Sequence, residues 1–165
     1  MSGSGRLAGK IALIFGAGSV GPGWGNGRAT ATRFAEEGAQ LFGVDRELDR
    51  MKETLDRVKE VGGTMETGFC DVTSSQSISD AVDACMKKYG RIDILVNNVG
   101  GSAAGGPVEM AEDVWDSQVD TNLKSVFLTC KYVLPIMEKQ GSGAIVNLAS
   151  TSGIRWTGSA QVAYA

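Results

Sequence analysis

The run Ile11-Ala12-Leu13-Ile14-Phe15 leads straight into Gly16-Ala17-Gly18-Ser19-Val20-Gly21-Pro22-Gly23-Trp24-Gly25-Asn26-Gly27. Five consecutive apolar residues ending at a glycine suit a strand buried on both faces. Half of the residues from Gly16 to Gly27 are glycine, so a close turn follows the strand. Helical spacing then takes over, with Ala31, Phe34, Ala35 and Gly38 at i, i+3, i+4 and i+7. A strand, a glycine turn and a helix in that order leave free backbone N–H groups at the helix N-terminus, and glycine lets a phosphate come close to the chain. Asp45 stands 18 residues beyond Gly27. That is near the offset of about 20 at which an acid meets the ribose hydroxyl of a bound dinucleotide.

The same alternation repeats along the chain. Residues 41–44 read as a second strand closed by Asp45, and Leu48, Met51, Leu55 and Val58 as a helix stopped by Gly62-Gly63. Residues 65–70 read as a third strand. Thr73-Ser74-Ser75-Gln76 has the pattern of a capping box, and the helix it opens carries Ile78, Ala81, Val82, Cys85, Met86 and Tyr89. Residues 92–96 form a fourth strand, ending in Asn97-Asn98-Val99-Gly100. A long helix from about Glu112 to Met137 places Val119, Leu123, Val126, Phe127, Cys130, Val133, Leu134 and Met137 on one stripe, and residues 144–149 form a fifth strand. Strand and helix alternate without a linker, a charged run or a repeat. This predicts an α/β fold, a doubly wound parallel sheet with right-handed crossovers. Ligands of such sheets bind at the carboxyl ends of the strands, here residues 16–27, Asp45, Asp71, 97–101 and 149–153.

Composition narrows the classes. A chain of 165 residues corresponds to one domain or part of one. The expectation is a single nucleotide-binding domain over 1–165, with residues 1–8 a loose arm. Hydrophobic residues make up 42% and charged residues 21%, a globular balance. The net charge of −3 comes without a basic block, which argues against a nucleic-acid or membrane partner. Histidine is absent. Ser-His-Asp and Cys-His catalysis and imidazole zinc sites are thereby excluded, and no metal is expected. Cys70, Cys85 and Cys130 are odd in number and form no CxxC pair, as expected of reduced, buried thiols in a cytoplasmic protein. The opening residues MSGSGR hold no apolar segment of a signal peptide.

Several motifs in order resemble those of the short-chain dehydrogenase/reductase family from about Lys10 onward. Phe15-Gly16-Ala17-Gly18-Ser19 followed by Gly25-Asn26-Gly27 is similar to its coenzyme turn TGxxxGxG. Phe15 replaces the usual Thr, and Val20-Gly21-Pro22-Gly23-Trp24 is extra. A second register would use Gly21-Pro22-Gly23; helical periodicity resumes only after Gly27, which favours the first. Cys70-Asp71-Val72 matches the pair bordering the adenine, and Asn97-Asn98-Val99-Gly100 matches NNAG with Val for Ala. Asn122, Ser150 and Tyr164 match the family's catalytic Asn, Ser and Tyr. Tyr164 follows Ser150 by 14 residues, one more than is common, and strict spacing would choose Thr151.

The resemblance implies a Rossmann-type domain, incomplete at its C-terminus, that binds NAD or, less favoured, NADP. Its contacts would be Gly16, Gly18, Ser19, Gly25, Asn26, Gly27, Asp45, Arg46, Asp71, Val72, Asn98, Val99 and Gly100. The implied reaction is hydride transfer between the nicotinamide and the alcohol or carbonyl carbon of a small molecule. Tyr164 would serve as acid/base, Ser150 would hydrogen-bond the substrate oxygen, and Asn122 would hold a water relay. A tyrosine with an ordinary pKa of about 10 needs a nearby cation to ionise usefully. The family supplies a lysine four residues later, which would be position 168 of a longer chain. Family members pair through the long helix, so a homo-dimer or homo-tetramer is expected. The reading from another class is a non-catalytic nucleotide-binding regulator or scaffold on the same fold. A dehydratase or epimerase of an extended relative is disfavoured by the NNVG motif.

Overall fold

A computed structural model describes residues 5–165. Strand β1 (Ile11–Phe15) is buried along its whole length. It lies between β2 (Gln40–Asp45) and β4 (Ile94–Asn97), and β3 (Thr64–Phe69) and β5 (Ala144–Asn147) form the edges. The order is β3-β2-β1-β4-β5 and every pairing is parallel. After β3 the chain returns past β1 to place β4 on its other side. The sheet thus has the doubly wound order 3-2-1-4-5, whose reversal point falls between β1 and β4. Each strand lies within a residue or two of its expected bounds.

Alternation along β1 feeds two cores. Leu13 and Phe15 join Val44 and Leu95 against α3 (Ser75–Tyr89) and α5 (Ser125–Gln140), through Ile78, Val82, Leu128, Val133 and Met137. Ala12 and Ile14 join Leu41 and Val96 against α1 (Asn26–Glu36) and α2 (Lys52–Glu60), through Ala31, Ala35 and Val58. The amino end of the sheet is riveted by Asp93, which is 5% exposed. Its carboxylate accepts from the Ile11 backbone N–H at 2.9 Å and from two nitrogens of Arg91 at 2.9 and 2.5 Å, with the Lys10 ammonium 3.9 Å away.

Three expectations are corrected. Ser74 caps α3, its hydroxyl accepting from Ser77 N–H; Thr73 instead hydrogen-bonds Asp71, and Gln76 reaches forward to Asp80. The capping register is therefore one residue later than the box pattern implies. The long helix is two helices, α4 (Glu112–Val119) and α5, joined through a π turn over Asp120–Lys124. One extra residue in a turn rotates everything after it by about 100°. The expected stripe is also too broad to be buried whole. Within α5, Val133 and Met137 are buried beside Leu128, whereas Phe127 and Leu134 face outward, as does Leu123 in the π turn. Cys70 and Cys85 are buried, but Cys130 is only half-buried; all three are unpaired. Desolvation pushes the Cys70 thiol up to about 11 and the Cys85 thiol up to about 12.

Of the arm expected over residues 1–8, residues 1–4 lie outside the described residues. Arg6 and Leu7 bind the end of α1, their N–H groups donating to the Glu37 carboxylate and carbonyl, both at 2.9 Å. Among the described residues no helix is long and apolar enough to cross a membrane.

Candidate functional site

At the carboxyl end of β1 the backbone leaves the sheet through Gly16 at φ +80°, a conformation that favours glycine. The N–H groups of Gly16 and Ala17 both donate to the Val44 carbonyl, which holds the turn against β2. A Cβ on Gly18 would sit 2.8 Å from both the Asp45 carboxylate and the Arg50 side chain. At Gly27, in the first turn of α1, a Cβ would lie 1.9 Å from the Gly16 carbonyl oxygen. Helix α1 therefore crosses the end of β1 at a distance only glycine permits. Gly21 has open space around it and so does Gly23. The close backbone approach thus belongs to Gly25-Asn26-Gly27. Gly25 occupies the N-cap position, with no side chain capping the helix. The first N–H groups of α1 consequently remain open to a ligand.

These elements border a crevice of about 650 Å³. Its floor and walls take in Gly16, Gly18, Ser19, Gly25, Asn26, Gly27, Asp45, Arg46, Asp71, Val72, Asn98, Val99 and Gly100. Asp45 ends β2 with one carboxylate oxygen 3.3 Å from Gly18 N and the other 3.1 Å from Glu47 N. Each oxygen retains a second lone pair. Asn98 donates from Nδ2 to the Gly16 carbonyl at 2.8 Å, tying the end of β4 to the turn after β1. Asp71 is held below its ordinary pKa by the Thr73 backbone N–H, then by the Thr73 hydroxyl, with burial opposing and Arg46 assisting.

Arg50, Cys70, Thr73, Gly101, Ser117 and Thr121 also line the crevice. Gly101 falls within the expected stretch 97–101; sequence reasoning missed the others as lining residues. Ser117 precedes Thr121 by four residues in continuous helical backbone, so that pair presents one face; Arg50 stands four residues after Arg46, in the short turn that follows β2. Those spacings were the available signal.

The three residues expected at the reacting end are less closely assembled. Asn122 lies in the π turn and grips the loop after β4, accepting from Gly101 N and donating to Gly101 O, both at 2.9 Å. Its Nδ2 also reaches Gln118 at 3.4 Å. Ser150 follows β5 and caps the short 3-10 turn Thr151–Gly153, accepting from Ser152 N at 3.2 Å. Tyr164 is half-buried in a turn where its own N–H and that of Ala165 both donate to Gln161 O. Among the described residues no hydrogen bond joins Asn122, Ser150 and Tyr164.

The family model described as short chain dehydrogenase matches residues 10–165. A crystal structure assigned to the short-chain dehydrogenases/reductases, from Burkholderia xenovorans, superposes with a TM-score of 0.95 at 59% identity, covering 97% of this chain and 61% of that one. A variant of actinorhodin polyketide ketoreductase solved with NADPH gives a TM-score of 0.86 at 36% identity, covering 94% of this chain and 58% of that one. NAD+-bound xylitol dehydrogenase gives 0.86 at 34%, covering 96% and 59%. The chain spans 53–64% of the length of the first curated relatives it matches.

Proposed function

Because this chain belongs to the short chain dehydrogenase family of oxidoreductases, we propose that it forms the dinucleotide-binding region of an enzyme interconverting an alcohol and a carbonyl on a small molecule. One observation carries this reading. The uncapped N-terminus of α1 meets the Gly16 carbonyl with no room for a Cβ at Gly27, and it opens into the crevice at the reversal point of the sheet. That cradle fits a dinucleotide. The first N–H groups of α1 would hold the diphosphate, Asp45 the ribose hydroxyls, and Asp71 and Val72 would border the adenine. Asn98, Val99 and Gly100 would line its other wall. When bound, a nicotinamide dinucleotide would supply the hydride in its reduced form or accept it in its oxidised form.

The remaining work falls to side chains. The Tyr164 hydroxyl would pass its proton to, or take one from, the substrate oxygen. Ser150 would donate to that oxygen as negative charge develops. Asn122 would fix the Gly101 loop through one pair of bonds and offer the spare lone pair of Oδ1 to a relaying water. Asp45 favours NAD because a carboxylate at the end of β2 repels a 2′-phosphate; neighbouring Arg46 and Arg50 weaken that preference. We assign the exposed Leu123, Phe127 and Leu134 face to a homo-dimer or homo-tetramer contact, and the reduced thiols fit a cytoplasmic location.

Titrating the chain with NADH and NADPH tests the core of this reading. Tighter binding of NADH is expected, and failure of both to bind at millimolar concentration would overturn it. The second reading is a non-catalytic dinucleotide-binding module. It predicts binding without turnover on a panel of secondary alcohols and ketones. That panel belongs on a chain extended to the length of its relatives.

A further inference from the structure

The extra residues of the glycine turn are gripped by a buried cation. Arg28, in the first turn of α1, is 3% exposed. Its guanidinium donates to the Gly23 carbonyl, to Thr54 Oγ1 at 3.4 Å, and to the Glu53 carboxylate at 2.7 Å. The Thr54 hydroxyl in turn donates to the Ala17 carbonyl at 3.0 Å. The other oxygen of Glu53 takes Arg57 at 3.2 Å, and the Arg57 guanidinium lies 4.7 Å from the centre of the Trp24 ring. One continuous path therefore runs from Ala17 through Thr54 to Arg28 and on to Gly23. A second branch runs through Glu53 and Arg57 to Trp24.

A cation in the first turn of a helix opposes the helix dipole, and a buried one needs a counter-charge. An arginine placed there to bind phosphate would present its charge to the crevice. Arg28 is not among the residues lining the crevice, and its charge is already matched by Glu53. The alternative use of five donors in a fixed fork is to hold several acceptors in one geometry. The turn needs such a hold. Gly21 and Gly23 carry no side chain that could pack inward, the Pro22 ring is exposed, and a Cβ at Gly21 or Gly23 would meet nothing within 4 Å. Left to itself, that segment would lose its freedom only when a ligand arrived, and the ligand's affinity would fall accordingly.

We propose that Arg28 and Thr54 are positioning residues that pre-form the extended glycine turn, linking its two halves before a dinucleotide binds. This rests on the dinucleotide reading, with Ala17 and Gly23 as the two fixed points and α2 as the anchor. The side chains of Arg28 and Thr54 would not touch the ligand themselves.

The test uses Thr54→Val and Thr54→Ser in the full chain, with two readouts. Amide hydrogen exchange without any nucleotide should rise in residues 17–25 of Thr54→Val, and Thr54→Ser should stay at the parent level because it keeps the hydroxyl. NADH binding, followed by tryptophan-to-NADH energy transfer, should weaken about tenfold in Thr54→Val, the scale expected for a hydrogen bond that fixes a binding loop. Thr54→Ser should restore it. Arg28→Lys should not match the parent, since one ammonium cannot span three acceptors in the same geometry. Parent-like exchange in Thr54→Val would overturn the clamp whatever the ligand. Raised exchange with unchanged NADH affinity would overturn its role in binding. A parent chain that binds no NADH, yet shows the exchange pattern, would keep the clamp and remove the dinucleotide reading.

Discussion

Gly27→Ala should be the most damaging single methyl group in the molecule. The added Cβ would stand 1.9 Å from the Gly16 carbonyl oxygen and 2.8 Å from Asn98 Nδ2. Ordinary van der Waals contact begins near 3.4 Å, so α1 must retreat from β1 by more than an ångström. The same movement strains the 2.8 Å bond between Asn98 and the Gly16 carbonyl. Overpacking of this kind costs about 1–3 kcal/mol. Replacing glycine by alanine in a helix returns about 1 kcal/mol. The net loss should be up to about 2 kcal/mol, with dinucleotide affinity falling further because the helix N-terminus has moved. Gly21→Ala is the control: its Cβ meets nothing within 4 Å, and the change should be neutral or slightly stabilising through the unfolded chain. Urea denaturation with NADH titration measures both. A Gly27→Ala chain as stable as the parent, with the same affinity, would refute the close-crossing argument.

Other outcomes follow from the same geometry. Asp45→Ala should narrow the preference for NADH over NADPH, read from paired titrations; a parent that prefers NADPH sinks the assignment of Asp45. In a chain extended to the length of its relatives, Tyr164→Phe should lose most of kcat while dinucleotide binding persists, and full activity would remove Tyr164 from the reaction. Burial works against the Asp93 carboxylate, but Arg91, the Ile11 N–H and Lys10 outweigh it and hold its pKa below the ordinary value. Its contribution to stability is therefore complete above the unfolded pKa of about 3.9 and is lost as pH falls through the lower folded value. Asp93→Asn should flatten that acid limb of the denaturation-midpoint profile, and an unchanged limb counts against the rivet. Phe127→Asp should drive the protein toward monomer in light scattering at micromolar concentration; an unchanged mass places the contact elsewhere.

The sheet was legible because its signals are local. Ile11 to Phe15 is apolar on both alternating faces, and only a central parallel strand needs that. Asp45 was found by spacing alone, since the span from the glycine turn to the end of β2 is set by one helix and one strand. The π turn was not legible. Within it Asn122 bonds Gly101, 21 residues away, a contact no local pattern announces, and the periodicity of Val119 to Met137 is compatible with an unbroken helix. The buried Arg28 was missed for a related reason. Arginine in a first helical turn ordinarily reads as a solvated charge, and its partner Glu53 lies on another helix. Asn122, Ser150 and Tyr164 came from family resemblance, and each is held in this structure by bonds to its own neighbourhood.

The π turn also sets how the chain tolerates length changes. Just ahead of it and at its start, Ser117 and Thr121 border the crevice; behind it, Leu128, Val133 and Met137 fill the core. The two segments run on in continuous helical backbone, and the extra residue per turn resides in the five residues Asp120–Lys124. Deleting one of them would restore a regular helix and turn the following face by about 100°. Leu128 and Met137 would swing toward water, and polar neighbours toward the sheet. A point substitution there is a local event. A single-codon deletion rewires which half of the rod addresses the ligand and which addresses the core, so this short span should be among the least tolerant of indels in the gene.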